Sequence, residues 1–104
     1  MQPLIVLTTA GSADEAARLA SGLVERRLAA CVNIVPQIRS IYRWQEELHD
    51  DVEWLLIIKT TAERFDTIRG AIKELHSYVL PECIAVPITT GSKEYLDWLV
   101  QNSV

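Results

Sequence analysis

The stretch from His76 to Cys83, HSYVLPEC, carries an imidazole, a phenol, a carboxylate and a thiol within eight residues. The only other histidine and cysteine in the chain are His49 and Cys31. Strong zinc or copper sites use three or four Cys or His ligands, and these four residues are spread along the chain. We therefore treat His76, Cys31, Cys83 and His49 as weak metal candidates and expect no dedicated transition-metal site within one subunit.

Pro81 divides this stretch between two elements. Proline disfavours the helical conformation for the residue before it, so a helix must end before Leu80 and a strand can begin at Cys83. His76 then lies at the helix C-terminus, where an imidazole can bond to the last carbonyl groups. The same imidazole could accept copper(II), which binds nitrogen ligands more tightly than the other common divalent ions do. Residues 76–82 are thus expected to be mainly a connector.

Two charged residues, Lys59 and Glu82, flank strands that should be largely buried. A charged group in such a place usually needs a partner, so an ion pair at a subunit interface is one interpretation. The other is that Lys59 attracts a small anionic ligand into a cleft. Tyr78 and Glu82 are then the polar groups expected to face that cleft, opposite Lys59.

Cys31 and the large aromatic residues have structural interpretations. Cys31 lies in the apolar segment LAACV without a cationic neighbour in sequence, so we expect a buried and unreactive thiol. Tyr42 and Trp44 project from the same side of a predicted ribbon. Together with Trp54 and Trp98 they are expected to bury area at a subunit interface, because aromatic side chains are enriched in such contacts. The alternative is that these rings stack on a ligand, so Tyr42 and Trp44 are also cleft candidates beside Lys59, Tyr78 and Glu82.

The composition is that of one soluble globular domain, residues 1–104, with 49% hydrophobic and 23% charged residues. The net charge is −4 and no basic cluster exists beyond Arg26-Arg27, which makes nucleic acid an unexpected partner. The apolar run near the N-terminus is too short to span a membrane. Two cysteines, at positions 31 and 83, form neither a disulfide framework nor a CxxC motif, which favours a cytoplasmic location. The mean hydropathy of +0.12 points to self-association.

Hydrophobic periodicity and capping signals predict the order of the elements. Possible capping boxes occur at Ser12 with Glu15 and at Thr60 with Glu63. Pro36 interrupts an extended segment, where a bulge or an edge position could tolerate it. The predicted elements are a strand at 4–9, a helix at 13–28, extended segments at 30–37 and 38–48, a strand at 52–61, a helix ending near residue 76, a strand at 83–89 and a helix at 93–101. The turn between the extended segments is expected near 46–47 or 49–51.

This order is the split βαβ, ferredoxin-like pattern of the α+β class, with a helix appended. Right-handed crossovers would place both long helices on one face of a four-stranded antiparallel sheet. The opposite face is left bare, so we expect it to be covered by other copies of the chain.

The sequence resembles the CutA family of divalent-cation tolerance proteins. The resemblance rests on LAACVN at 28–33, SIYRW at 40–44, IIKT at 57–60, HxYxxPE at 76–82 and YLxW at 95–98. It implies a homotrimer like that of the PII signalling proteins, with lateral clefts between subunits lined by the hairpin and by the HxYxxPE segment. It also implies a link to copper tolerance, no enzymatic activity and no obligatory cofactor, with Cu²⁺ as the divalent cation that could be bound weakly.

Three positions depart from the pattern of that family. Ser77 stands where proline is common, Val79 where glutamate or glutamine is common, and Glu46 where the hairpin usually turns on glycine. The first two remove rigidity and a polar group beside the cleft, and the third affects a turn in which positive φ favours glycine.

The sequence lacks the motifs of two other protein classes that share this fold. An acylphosphatase needs a phosphate-binding loop followed by an arginine, and residues 8–12 offer only a generic helix N-terminus. An RRM needs aromatic RNA-binding motifs that the two inner strands lack. The alternative that stays open is a trimeric signalling or scaffold module that binds a small anion in its clefts.

Overall fold

One antiparallel sheet, with strand order β2-β3-β1-β4, organises the chain. The computed structural model describes residues 1–104, and its elements are β1 (Pro3–Ala10), α1 (Ala13–Glu25), β2 (Cys31–Trp44), β3 (Glu47–Thr61), α2 (Phe65–Leu75), β4 (Ile84–Pro87) and α3 (Lys93–Gln101), with a 3₁₀ turn at Ala62–Arg64 before α2. Strand order and helix number confirm the predicted ferredoxin-like α+β fold. No helix is long and apolar enough to cross a membrane.

The core forms between the sheet and the two longer helices. Side chains alternate along a strand, so Leu56 and Ile58 of β3 point to the helical side, together with Val6 of β1. They pack against Leu19 and Leu23 of α1 and Ile68 and Ile72 of α2, all at most 1% exposed. Full burial of such side chains contributes roughly 1.5–3 kcal/mol each relative to exposure. The prediction that both helices cover one face is therefore confirmed.

The opposite face of the sheet is uncovered and largely apolar. Ile84 and Val86 of β4, paired with Leu7 and Ile5 of β1, are 54% and 49% exposed. Val35 of β2 is also exposed on this face. A contiguous apolar surface of this kind marks an interaction site in soluble proteins.

A two-stranded arm extends beyond the rest of the sheet. Strand β1 pairs with β3 only as far as Trp54, whereas β2 and β3 continue to pair with each other out to Trp44 and Glu47. The molecule is consequently elongated, measuring 44 × 25 × 22 Å. Strand β3 begins at Glu47, five residues earlier than predicted. The polar residues of the arm pair across the β2–β3 ribbon, although neither face of the ribbon is buried.

Two backbone irregularities shape the β2–β3 ribbon. The register shifts between Val35 and Ile38, and Gln37 has a φ of 57°. The bulge expected at Pro36 is thereby confirmed. The turn is formed by Gln45 and Glu46, with φ values of 49° and 70°, which is the two-residue type I′ geometry. It lies one residue before the nearer of the two predicted positions.

Glu46→Gly is expected to stabilise the protein by about 0.5–1 kcal/mol. Glycine adopts positive φ without the steric cost that a side chain imposes. Thermal unfolding at matched protein concentration measures the effect. Glu47→Gly is the control, because it places glycine in the neighbouring strand residue, where φ is not positive, and should destabilise. Equal shifts for both variants would contradict the assignment to turn strain.

Two predicted helix signals are only partly realised. The first helix ends at Glu25 instead of residue 28, because Arg27 adopts a φ of 59° and the Leu28 amide donates back to the Leu23 carbonyl. The prediction that Thr60 caps the second long helix is wrong. Thr60 is the last but one residue of β3, and its buried hydroxyl donates to the Leu28 carbonyl at 2.7 Å. The hydroxyl thus joins β3 to the end of the loop after α1.

Candidate functional site

The principal cavity lies where the arm leaves the sheet. Its volume is about 620 Å³, within the range of small-molecule pockets. The β2–β3 ribbon forms one wall and the connector between α2 and β4 forms the other. The lining residues are Thr9, Ile38, Ser40, Ile41, Tyr42, Trp44, Glu53, Leu55, Tyr78, Val79, Leu80 and Glu82. Tyr42, Trp44, Tyr78 and Glu82, four of the five residues predicted for the cleft, are therefore together.

Glu53 is the residue of this site that the sequence interpretation missed. It lies at the base of the arm and is only 7% exposed, which is unusual for a glutamate. The Tyr78 hydroxyl donates to Glu53 Oε2 at 2.7 Å. Burial, this hydrogen bond and the Glu53 charge raise the pKa of Tyr78 well above its usual value. A charged residue inside the otherwise apolar segment VEWLLII was the available signal.

Gly11 lets the Tyr78 ring approach the end of β1. A Cβ atom at Gly11 would lie 3.0 Å from the Tyr78 hydroxyl, closer than side-chain contacts normally allow. Glycine at this position thus leaves room for the phenol beside the backbone and for its bond to Glu53. The absence of a side chain in the β1–α1 loop thus allows the HxYxxPE segment to pack against it.

Glu82 supplies a second carboxylate to the cavity. Burial, and secondly the nearby Glu53 charge, raise the pKa of Glu82 above its ordinary value. The lining contains no lysine, arginine or histidine, and neither glutamate forms a salt bridge in the chain. The cavity is therefore acidic.

Tyr42 and Trp44 carry the aromatic surface of the arm into the cavity. The Tyr42 hydroxyl donates to Asp51 Oδ2 at 2.5 Å, and this bond is the main reason that the pKa of Tyr42 is raised to about 12. The Tyr42 ring stacks on His49 with 5.2 Å between ring centroids. Trp44 remains 37% exposed. Both rings are thus available for further contacts.

Within one subunit Lys59 does not lie opposite Tyr78 and Glu82, and its placement across a subunit interface stays a prediction. Lys59 and Glu53 lie on the same side of β3, but they are six positions apart, which corresponds to about 20 Å along a strand. The Lys59 ammonium instead donates to Asn33 Oδ1, near the start of β2. The cavity consequently lacks the positive charge that an anionic ligand would need.

The weak metal candidates do not converge. No group of three or more His, Cys, Asp or Glu side chains is arranged to hold a metal ion. His49 lies on the arm, and Cys83 is half-buried before β4, where burial is the main cause of its raised pKa. Cys31 was expected to be fully buried, but it is only half-buried in one subunit and lies on the open face, where it pairs with Lys59. Its thiol contacts Asn33 Oδ1 at 3.8 Å.

His76 does not cap α2 with its side chain, contrary to the prediction. The ring is fully buried, with Nε2 2.6 Å from the Thr9 carbonyl oxygen and Nδ1 2.9 Å from Glu15 Oε1. The Tyr78 amide also lies 3.1 Å from Nδ1. The imidazole therefore joins the end of α2 to the end of β1 and the start of α1, and is not free to serve as an open metal ligand.

The Glu15 carboxylate contacts His76, so it does not form its half of the predicted capping box. Ser12 Oγ accepts a hydrogen bond from the Glu15 amide at 3.1 Å, so the serine cap is confirmed. The Glu15 carboxylate turns away from the cap amide and lies against His76 and the Ser77 amide. A histidine more than sixty residues away is thus its actual partner.

The chain was compared with known families and proteins. A family model described as CutA1 divalent ion tolerance protein matches residues 4–102. Divalent-cation tolerance protein CutA of Thermus thermophilus is 52% identical over 99 residues, covering 95% of this chain and 96% of that protein. The solved structure of the Thermus thermophilus protein has a TM-score of 0.96 at 50% identity and covers 98% of this chain and 99% of its own.

Further relatives bear on the cellular location. A structure described as periplasmic CutA from Archaeoglobus fulgidus has a TM-score of 0.94 at 40% identity, covering 98% of this chain and 99% of its own. A chloroplastic CutA of Arabidopsis thaliana is 43% identical over 96 residues, covering 92% of this chain and 53% of that protein. The expectation of a cytoplasmic location, which was based on the cysteine content, is therefore wrong. Two cysteines that do not pair are compatible with several compartments.

Proposed function

Because the chain belongs to the CutA1 divalent ion tolerance family, we propose that it acts in the response to divalent metal ions, copper(II) among them, as a homotrimer without catalytic activity. The match over residues 4–102 carries this proposal. The relatives from Thermus thermophilus and Archaeoglobus fulgidus are named divalent-cation tolerance proteins. Divalent-ion tolerance is the family property, and copper, the trimer and the absence of catalysis are our extensions of it.

The trimeric state is supported by the two surfaces that one subunit leaves uncovered. The sheet has an apolar open face, and the arm displays Ile41, Leu48 and Val52 with 57–72% exposure. A chain of 104 residues gains limited stability from its own core. Burial of these surfaces against other copies would supply additional stability.

A role through binding rather than catalysis is supported by the chemistry of the cavity. Its polar groups are hydroxyls, the Trp44 indole N–H and two carboxylates. Its tyrosines hold their protons tightly, since the pKa values of Tyr42 and Tyr78 are both raised. No cysteine or histidine lines the cavity. The Ser-His and Cys-His pairs that many hydrolases use are therefore not assembled there.

Direct copper binding is expected to be weak and to depend on His49. This imidazole is partly exposed on the arm, whereas both ring nitrogens of His76 face protein atoms. Calorimetric titration with Cu²⁺ should show weak binding that becomes about tenfold weaker in His49→Ala, a loss of about 1.4 kcal/mol. Binding should strengthen as His49 loses its proton. A tight stoichiometric site, or one removed by Cys83→Ser but not by His49→Ala, would contradict this expectation.

The biological role is tested by growth of a strain that lacks the gene. We expect deletion to increase sensitivity to added copper, and the wild-type gene to restore growth. Monovalent salt at matched ionic strength is the control. Unchanged growth of the deletion strain across a series of divalent ions would overturn the proposed function.

A further inference from the structure

The acidic cavity has an aromatic wall, and this combination indicates a class of ligand. We propose that the cavity formed by the arm and the connector binds a small organic ammonium ion. This proposal goes beyond a role in metal tolerance and does not depend on it. It rests on the carboxylates Glu53 and Glu82 and on the aromatic rings of Tyr42, Trp44 and Tyr78, all of which line the cavity.

Glu53 provides the electrostatic part of the site. The residue is more than nine-tenths buried and has no basic partner in the chain. Its Oε2 atom accepts the bond from Tyr78, and no protein donor bonds to Oε1. Oε1 is not fully enclosed by protein, so a ligand cation in the cavity can reach this carboxylate, which has no countercharge in the chain.

Glu82 adds a second carboxylate that would favour a cation in the cavity. Its carboxyl group shares the cavity with Glu53, and both burial and the Glu53 charge disfavour its ionised form. Two carboxylates in one partly dehydrated cavity repel each other. A single monovalent cation between them would relieve this repulsion and favour ionisation of Glu82.

The aromatic residues select an organic cation over a bare ion. An ammonium group near the face of a tryptophan or tyrosine gains roughly 0.5–2 kcal/mol, depending on desolvation. Aliphatic side chains, among them Ile38 and Leu55, complete the lining and can contact the alkyl groups of the ligand. A strongly hydrated metal ion makes little use of these apolar walls.

The donor set argues against a metal ion and an inorganic anion. Divalent magnesium and calcium prefer oxygen-rich and hydrated surroundings, whereas eight of the twelve lining residues are hydrophobic and no group of three metal-binding side chains lies there. An anion would meet Glu53 and Glu82 without a basic residue, because Lys59 contacts Asn33 instead. The organic ammonium is the class that uses both the charge and the rings.

Calorimetric titration with choline tests the proposal. The matched probe is 3,3-dimethylbutan-1-ol, which has the shape of choline without its charge. We expect saturable binding of choline and at least about tenfold weaker binding of the neutral alcohol. Sodium chloride at matched ionic strength serves as the background. Equal affinity for choline and the alcohol, or no saturable binding of choline, would overturn the proposal.

Charge-removing variants locate the binding. Glu53→Gln keeps an oxygen that can accept the Tyr78 hydrogen bond but removes the charge, and it should weaken choline binding about tenfold. Glu63→Gln removes one charge from the exposed turn before α2 and should leave the affinity unchanged. Equal effects of the two variants would overturn the proposal.

One further outcome would contradict the ligand assignment. If a basic side chain of a neighbouring copy fills the cavity, Glu53→Gln will reduce the mass of the assembly on gel filtration and leave choline binding unchanged. An unchanged mass together with weakened choline binding supports the ammonium site. These measurements do not use metal ions, so their result is independent of the proposed role in metal tolerance.

Discussion

Replacing His76 by alanine is expected to lower the free energy of unfolding by about 3 kcal/mol or more. The imidazole is buried between the Glu15 carboxylate and the Thr9 carbonyl group. Removal of one partner leaves a buried hydrogen-bonding group unsatisfied, which typically costs about 1–3 kcal/mol. The truncation also creates a cavity where α1, β1 and the connector meet.

Chemical denaturation of the wild type and the variant measures this effect. The two proteins must be compared at the same subunit concentration, because the stability of an oligomer depends on it. His49→Ala is the matched control, since His49 is the only other histidine and lies on the arm. We expect the control to cost less than about 1 kcal/mol. Similar losses for both variants would show that the Glu15 contact contributes little.

The position of His76 shows what local sequence signals can and cannot reveal. Pro81 and the hydrophobic periodicity correctly indicated that α2 ends near residue 76. The side chain nevertheless bonds to residues 61 and 67 positions away, Glu15 and Thr9. A capping rule considers only neighbours along the helix, so it could not identify partners that the sheet brings close.

The same distinction explains which parts of the fold were predictable. Apolar runs in β1 and β3 specified central strands, and the order of elements then determined the sheet topology. The arm was harder to delimit, because residues 47–51 of β3 are mostly polar and exposed. Their strand conformation depends on pairing with β2 and on the turn at Gln45 and Glu46.

The charged residues of β3 show what the alternation of side chains along a strand can and cannot predict. Glu53 and Lys59 are both odd-numbered and project from the same face, but one lies at the base of the arm and the other near the opposite end. Alternation along the strand identifies the face of the sheet on which a side chain lies, but not its position along the strand. The connector reaches only the arm end, so Tyr78 meets Glu53 instead of facing Lys59. The cavity is acidic for this reason.

The wild-type protein is expected to elute as a trimer of about 35 kDa, three times the subunit mass of 11.7 kDa. Trp44→Ala should weaken this assembly by about 2 kcal/mol per subunit, because a large aromatic side chain at an interface loses much of its buried area on truncation. Trp44 is only partly covered by its own chain and lies near the tip of the arm.

Light scattering coupled to gel filtration over a dilution series measures the assembly. Val24→Ala is the control, because Val24 is comparably exposed at 41% but lies on α1, away from the arm and the open sheet face. We expect the Trp44 variant to dissociate at a higher subunit concentration than the wild type, and the control to match the wild type. A wild-type mass of 11.7 kDa at micromolar concentration would contradict the proposed trimer. An unaltered trimer in Trp44→Ala would instead assign the exposed ring to the cavity alone, which it lines together with Glu53 and Glu82.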